Sequence, residues 1–89
     1  MINSKSHDAN EITGAQIRAA RALLRWSAKE LSKAAGIGVA TVSRAEVEDG
    51  ITSLTSANMR AIRLALEAAG IEFITGNGGG VGVRFKDSR

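Results

Sequence analysis

The chain has 89 residues, no cysteine and a formal net charge of +3 at pH 7. A chain of this length forms one small domain with a modest core, which excludes a second, catalytic domain. The absence of cysteine excludes disulfides, thiol nucleophiles and cysteine-based metal sites, and it favours the reducing cytoplasm as the location. The small excess of basic residues favours a polyanionic partner without identifying one.

The first predicted elements are a polar arm and a helix. Residues 1–11 lack the apolar run of a signal peptide or a membrane span, so we expect a flexible arm and no membrane contact. Thr13 and Gln16 have the spacing of a capping box, in which each side chain satisfies the backbone N–H of the other, and they predict a helix start. Ser27 and Glu30 have the same spacing and predict the start of a second helix.

A tight turn separates the second predicted helix from a third. Helical periodicity ends at about Ala35, Gly36 can adopt the left-handed conformation that ends a short helix, and a new periodic run begins at Val39. We expect this third helix to reach about Glu48 and to be closed by Gly50. Two short helices joined in this way are typical of DNA-binding domains, because the second can enter the major groove while the first lies across the DNA backbone and supports it.

The two helices of this predicted unit have an inner and an outer face. Their inner faces carry small and apolar residues that would fill the angle between them: Leu31 and Ala35, then Val42 and Ala45. The small side chain of Ser32 lets the two backbones approach closely. The outer face of the third helix carries Val39, Ala40, Ser43 and Arg44.

A fourth helix is predicted over residues 56–69, and it has two apolar rows. The first row consists of Met59, Ile62 and Leu66, and the second of Ala57, Ala61, Leu64 and Ala68. One row can pack on the core, so the other needs a further partner.

After Gly70 the sequence changes to the alternation of strands. Residues 71–75 and 81–85 flank a glycine-rich stretch, 76–80, which predicts a β-hairpin. The glycine stretch lacks the Lys and Ser or Thr that follow in a phosphate-binding loop, and it leads into a strand instead of a helix. Because an isolated hairpin is only marginally stable, these strands must pack on the helices or pair with a second subunit.

The run from Trp26 to Glu46 resembles the helix-turn-helix of the Cro/CI-type (Xre) family of lambda-repressor-like DNA-binding domains. The resemblance covers about residues 13–69, and these residues carry it: Ile17, Arg18, Arg21, Leu31, Gly36, Val42, Ser43, Arg44 and Glu46. It implies a mainly α fold, a four-helix bundle to which the hairpin is appended. It also implies dimeric binding to a palindromic or pseudo-palindromic operator on double-stranded DNA and regulation of transcription. Our own hypothesis within this class is a homodimeric repressor.

The resemblance also implies roles for single residues. The base-reading positions of the family fall on Val39, Ala40 and Arg44, and positions that touch phosphate or cap the helix fall on Thr41 and Ser43. Arginine can bind guanine O6 and N7 with two hydrogen bonds, whereas Val39 and Ala40 can offer only apolar contact to a thymine methyl group. The partly buried ion pair of the family corresponds to Arg21 and Glu46, which we assign to the architecture.

The chain departs from the family pattern in two places, and both weaken the expected contact with the DNA backbone. Ala28 stands where a phosphate-binding glutamine is common, and the acidic pair Glu48 and Asp49 follows the third helix where basic residues are common. Compensating cations are expected from the helices and the tail: Arg18, Arg25, Lys29, Lys33, Arg84, Lys86 and Arg89.

The hairpin is interpreted as a dimerisation element. We divide the chain into an arm (residues 1–11), a DNA-binding domain (12–70) and a C-terminal hairpin (71–89). The predicted dimer interface comprises Leu64, Ile71, Phe73, Val81, Val83 and Phe85.

Each functional assignment has a simpler alternative. Arg44 could be an ordinary solvated charge, and Lys29 and Lys33, one helical turn apart, are also typical of a solvated face. Trp26 fits a core position better than a base-stacking platform, because no other aromatic residue is near it in the sequence. His7 is the single histidine, so we expect no metal or other cofactor, no Ser-His-Asp triad and no enzymatic activity.

A second function belongs to another class. The same fold could serve as a protein-interaction module, such as an antitoxin or an adaptor, that binds a protein partner through the hairpin and the fourth helix. The acidic Glu48 and Asp49 and the apolar Val39 and Ala40 support this alternative.

Overall fold

The computed structural model describes residues 11–50, 54–76 and 78–87, and within them four α-helices lead into a two-stranded antiparallel sheet. In chain order the elements are α1 (Gly14–Leu24), α2 (Ala28–Ala35), α3 (Val39–Val47), α4 (Ser56–Ala68), β1 (Ile71–Ile74) and β2 (Gly82–Phe85). The predicted mainly α fold with a C-terminal hairpin is confirmed. His7, Arg89 and residues 1–10 of the predicted arm lie outside the described residues.

Capping boxes start the first two helices, as predicted. In α1 the Gln16 backbone N–H donates to Thr13 Oγ1 at 3.0 Å, and the Thr13 N–H donates to Gln16 Oε1 at 2.9 Å. In α2 the Glu30 N–H donates to Ser27 Oγ at 3.0 Å, and the Ser27 N–H donates to Glu30 Oε1 at 2.7 Å. Each cap stabilises its helix by about 1 kcal/mol.

The end of α3 differs from the prediction. The helix stops at Val47, and Glu48 is already extended, with φ −94° and ψ 141°, so Gly50 does not close it. The carbonyl of Gly50 instead accepts a hydrogen bond from the N–H of Gly14, at 3.0 Å. The start of α1 therefore packs against the segment that leaves α3, and these tertiary contacts accompany an earlier helix end than the local glycine signal indicated.

The core draws on every helix and on β1. Its buried apolar residues are Ile12, Ile17, Ala20, Leu31, Val42, Ala45, Met59, Ile62, Leu66, Ile71 and Phe73. Leu31, Val42 and Ala45 fill the angle between α2 and α3, and the first predicted row of α4 faces inward. Trp26 is partly buried and packs against this core.

No helix in the described part of the chain has the length and apolarity to cross a membrane.

The hairpin forms within one chain and joins the same core. Ile71 lies opposite Phe85 and Phe73 opposite Val83, and opposed residues share one face of the sheet. β2 packs against α1, and β1 packs against α4. In the described residues the strands are one residue shorter at the loop than predicted, so Val81 precedes β2.

This packing corrects part of the predicted dimer interface. Ile71 is 0% exposed and Phe73 is 8% exposed in the single chain, so neither has surface to offer to a second subunit. Val83 and Phe85 are partly buried against the same core. Leu64 and Val81 remain about half exposed.

Candidate nucleic-acid interface

The turn between α2 and α3 is held by backbone and side-chain hydrogen bonds around Ser32. The N–H groups of Gly36 and Ile37 donate to the Ser32 carbonyl at 2.9 and 3.2 Å. The Ser32 hydroxyl donates to the carbonyl of Ile37 at 2.6 Å. Gly36 has φ +71°, a left-handed conformation that a β-carbon would strain, as the sequence predicted. The turn therefore sets a fixed angle between the two helices.

One exposed face of α3 carries most of the predicted reading residues. Val39, Ala40, Ser43 and Arg44 are all exposed, and their spacing places them on one side of a helix. Thr41 is only partly exposed, because it lies toward the buried Val42 side. The opposite side is anchored in the core, so the exposed face is presented on a supported helix.

The first turn of α3 has no side-chain cap. Gly38 occupies the N-cap position, and no side-chain hydrogen bond caps the helix there. The free N–H groups of a helix start and the helix dipole favour contact with an anion. This end of α3 is thus compatible with a nearby phosphate.

The cations near this surface divide into free and paired ones. Lys29 and Lys33 are exposed on α2, and in the described part of the chain neither they nor Arg44 pairs with a carboxylate. Arg18 is different, because its guanidinium pairs with Asp49 and also donates to the Glu46 carbonyl. We therefore remove Arg18 from the expected set of free phosphate-binding cations.

Arg21 and Glu46 form a two-bond ion pair between α1 and α3. Arg21 Nε lies 2.7 Å from Glu46 Oε2, and Nη2 lies 2.8 Å from Oε1. The third donor, Nη1, reaches the carbonyl of Trp26 at 2.9 Å. The hydrogen bond to Glu46 raises the pKa of Arg21, burial opposes this, and the attraction of the Glu46 charge adds to it. Arg21 therefore holds the end of α3 against α1 and also binds the backbone of Trp26, which precedes the cap of α2.

A further paired cation lies on the hairpin. Arg84 stands directly opposite Glu72, and Arg84 Nε donates to Glu72 Oε1 at 3.1 Å. The expectation that Arg84 compensates for missing phosphate contacts therefore loses its support, because a carboxylate already balances this charge. Lys86 is exposed beyond β2.

The sequence pattern predicted the capping role of Gln16 but not the hydrogen bonds that its Nε2 donates to the hairpin. Its carboxamide oxygen serves the capping box, while Nε2 donates to the carbonyls of Ile74 at 3.2 Å and Gly82 at 2.9 Å. A signal was present, since glutamine has two N–H donors that glutamate lacks. Their partners lie 58 and 66 residues away in sequence, which no local pattern reports.

A helix-turn-helix with a core-anchored second helix and an exposed outer face is the architecture of a DNA-binding domain. The family model described as helix-turn-helix matches residues 17–69, which is more than half of the 89-residue chain. The chain belongs to the helix-turn-helix family of the Cro/CI type. Its members are DNA-binding transcription regulators, and this is the general class of the protein. A comparison with curated proteins gives no significant match.

Proposed function

We propose that the protein is a transcriptional repressor that binds a palindromic operator as a homodimer. The observation that carries the proposal is the exposed α3 face, Val39, Ala40, Ser43 and Arg44, on a helix whose other side is buried. Each subunit would place this face in one major groove, with the two grooves about 34 Å apart on one side of the duplex. Repression requires only that the bound protein occupy the site.

Sequence reading rests mainly on Arg44. Its exposed side chain has no carboxylate partner among the described residues, so its donors are available to a base edge. A bidentate contact to guanine discriminates by about 1–3 kcal/mol. Val39, whose residue surface is 46% exposed, and Ala40 would add apolar contact to thymine methyl groups.

Phosphate contacts set the position of the domain on the duplex. Lys29 and Lys33 on α2 supply cations, and the hydroxyls of Thr41 and Ser43 supply neutral donors. With few phosphate contacts, the dependence of affinity on salt is expected to be shallower than for strongly basic operator-binding proteins.

The proposed dimer would use exposed apolar side chains of α4 and of the hairpin. Leu64 on α4 is 50% exposed and Val81 before β2 is 48% exposed. A Leu64→Arg variant should dissociate the dimer in sedimentation and weaken operator binding, while leaving the core row of α4 intact. A wild-type chain that sediments as a monomer on operator DNA would contradict the dimer.

The experiment that tests the function is selection of bound sites from random duplex DNA. We expect the selected sites to share a palindrome with a guanine contacted in each half. Failure to enrich any sequence at low salt would contradict sequence-specific binding.

The second function, a protein-interaction module, is favoured by one surface. Val47 is 77% exposed and is followed by the exposed carboxylate of Glu48 and by Asp49, which is exposed but pairs with Arg18. This mixed apolar and acidic segment suits a basic protein surface better than DNA. Purification with a protein partner, together with no DNA binding at low salt, would support this function over the first.

A further inference from the structure

We infer that Gln16 is a positioning residue through which the C-terminal hairpin holds α3 in the orientation that reads DNA. The inference rests on the proposed DNA-binding function and assigns the hairpin a role inside each subunit, separate from dimerisation. Two sets of contacts carry it, one between Gln16 and the hairpin and one between the start of α1 and the end of α3.

The first set uses the whole carboxamide of Gln16. The residue is 4% exposed, and its oxygen accepts from the Thr13 N–H while Nε2 donates to the carbonyls of Ile74 and Gly82. Ile74 and Gly82 are paired residues at the loop end of β1 and β2. One buried side chain therefore joins both strands to the first turn of α1.

The second set joins that same turn to the end of α3. The Gly14 N–H donates to the Gly50 carbonyl at 3.0 Å. A β-carbon built on Gly14 would lie 1.8 Å from the Glu48 carbonyl oxygen and 2.7 Å from the Ala45 carbonyl oxygen. The backbones of α1 and α3 thus touch here without an intervening side chain, so a shift of one is passed to the other.

The consequence for DNA reading is geometric. A bidentate contact between arginine and guanine requires donor and acceptor alignment, which a small rotation of α3 disturbs. Phosphate contacts by long lysine side chains tolerate such a rotation. Loss of the Gln16 contacts should therefore weaken specific binding more than non-specific binding.

The test is a Gln16→Glu variant. Glutamate keeps the acceptor for the Thr13 N–H, since it serves capping boxes equally well, but it cannot donate to the two hairpin carbonyls. We expect the ratio of specific to non-specific affinity to fall about tenfold, measured at a temperature where circular dichroism shows a folded domain. Lowering the pH should restore part of the ratio relative to wild type, because a protonated carboxyl can donate to one carbonyl.

Two further variants distinguish a change in the orientation of α3 from the effects of the added charge and of lower stability. Ala19→Glu adds the same charge at an exposed site of α1, so it should lower both affinities and leave their ratio unchanged. Gln16→Met removes the two donors without adding charge, and it also removes the acceptor of the Thr13 N–H. It carries the test if Gln16→Glu does not fold. An unchanged ratio in both Gln16 variants, with only the melting temperature lowered, would show a purely structural role.

The amide resonances of α3 give a readout that needs no DNA. We expect those of Val42 and Ala45 to shift in the Gln16 variants and to stay in place in Ala19→Glu. If wild type binds no DNA but these shifts occur, the proposed function fails, while the coupling of the hairpin to α3 through Gln16 is supported. If wild type binds specifically and neither the shifts nor the ratio changes, the link itself is overturned.

Discussion

Arg18 on α1 pairs with Asp49, two residues beyond the end of α3. The Arg18 side chain is 41% exposed and that of Asp49 is 85% exposed, so the pair lies in water and adds little to stability. We expect the pair to matter more for DNA affinity than for stability, because the Asp49 carboxylate holds a cation that could otherwise attract phosphate.

We therefore predict that Asp49→Asn binds DNA more tightly. The variant removes one negative charge and frees the Arg18 guanidinium, so affinity at low salt should rise about two- to fivefold and the gain should shrink as salt is added. Fluorescence anisotropy titrations at several salt concentrations measure this. Glu72→Gln frees Arg84 on the hairpin and serves as the matched control, and an equal gain in both variants would indicate a general charge effect.

The pair between Arg21 and Glu46 should behave differently from the exposed pairs. Its side chains are 24% and 10% exposed, and Glu46→Gln would break a charge-assisted, bidentate contact between α1 and α3. We expect the free energy of unfolding to fall by about 2 kcal/mol. Urea unfolding monitored by Trp26 fluorescence tests this, and Arg84→Met in the exposed pair should cost clearly less. Equal losses would contradict a special role for the Arg21 pair.

The starts of α1 and α3 predict opposite effects for two glycine substitutions. Gly14→Ala should destabilise the domain by about 3 kcal/mol or more, because its β-carbon meets the Glu48 carbonyl at 1.8 Å. Gly38 has open space around its β-carbon position and occupies the uncapped start of α3, so Gly38→Ser should stabilise by about 0.3 kcal/mol. Thermal unfolding distinguishes them. A Gly14→Ala variant as stable as wild type would contradict the close packing of α1 on α3.

The cross-strand pair on the hairpin makes a prediction about pH. The hydrogen bond and the charge of Arg84 lower the pKa of Glu72 below its ordinary value of 4.5, with a smaller contribution from Lys86. A carboxyl with a lowered folded-state pKa stabilises the fold above its unfolded-state pKa, and that stability is lost as the pH falls through the folded-state pKa.

An NMR titration of the Glu72 carboxyl should thus give a pKa below 4.5, and Arg84→Met should return it toward that value. A Glu72 midpoint that is insensitive to Arg84 would show that the two side chains do not interact in solution.

Local features of the fold could be predicted because adjacent residues encode them. The two capping boxes, the left-handed Gly36 and the inner row of α4 each depend on residues within a few positions of one another. Their physical cause is a hydrogen bond or a helical repeat that the sequence displays directly. The third helix is predicted to reach about Glu48 and ends at Val47, whereas the local pattern does not report that the Gly50 carbonyl accepts from Gly14, far away in sequence.

The surface assignments depend on long-range partners, and the structure changes the expectation for four residues: Ile71, Phe73, Arg18 and Arg84. An apolar strand face has the same sequence pattern whether helices of its own chain or a second subunit cover it. The pattern of Ile71 and Phe73 therefore fits a dimer interface as well as the core. Likewise, no local pattern indicates that Arg18 has a carboxylate partner, because Asp49 comes close to it only in the folded chain.

The most direct test of the α3 face as a DNA-reading surface compares Arg44→Ala with Arg60→Ala. Both remove one exposed arginine, but Arg60 lies on α4, outside the α2–α3 unit. Anisotropy titrations on the selected operator and on a random duplex should show Arg44→Ala losing about ten- to a hundredfold in specific affinity. Its non-specific affinity should fall only as much as that of Arg60→Ala. Equal losses for both variants on both duplexes would contradict base reading by α3.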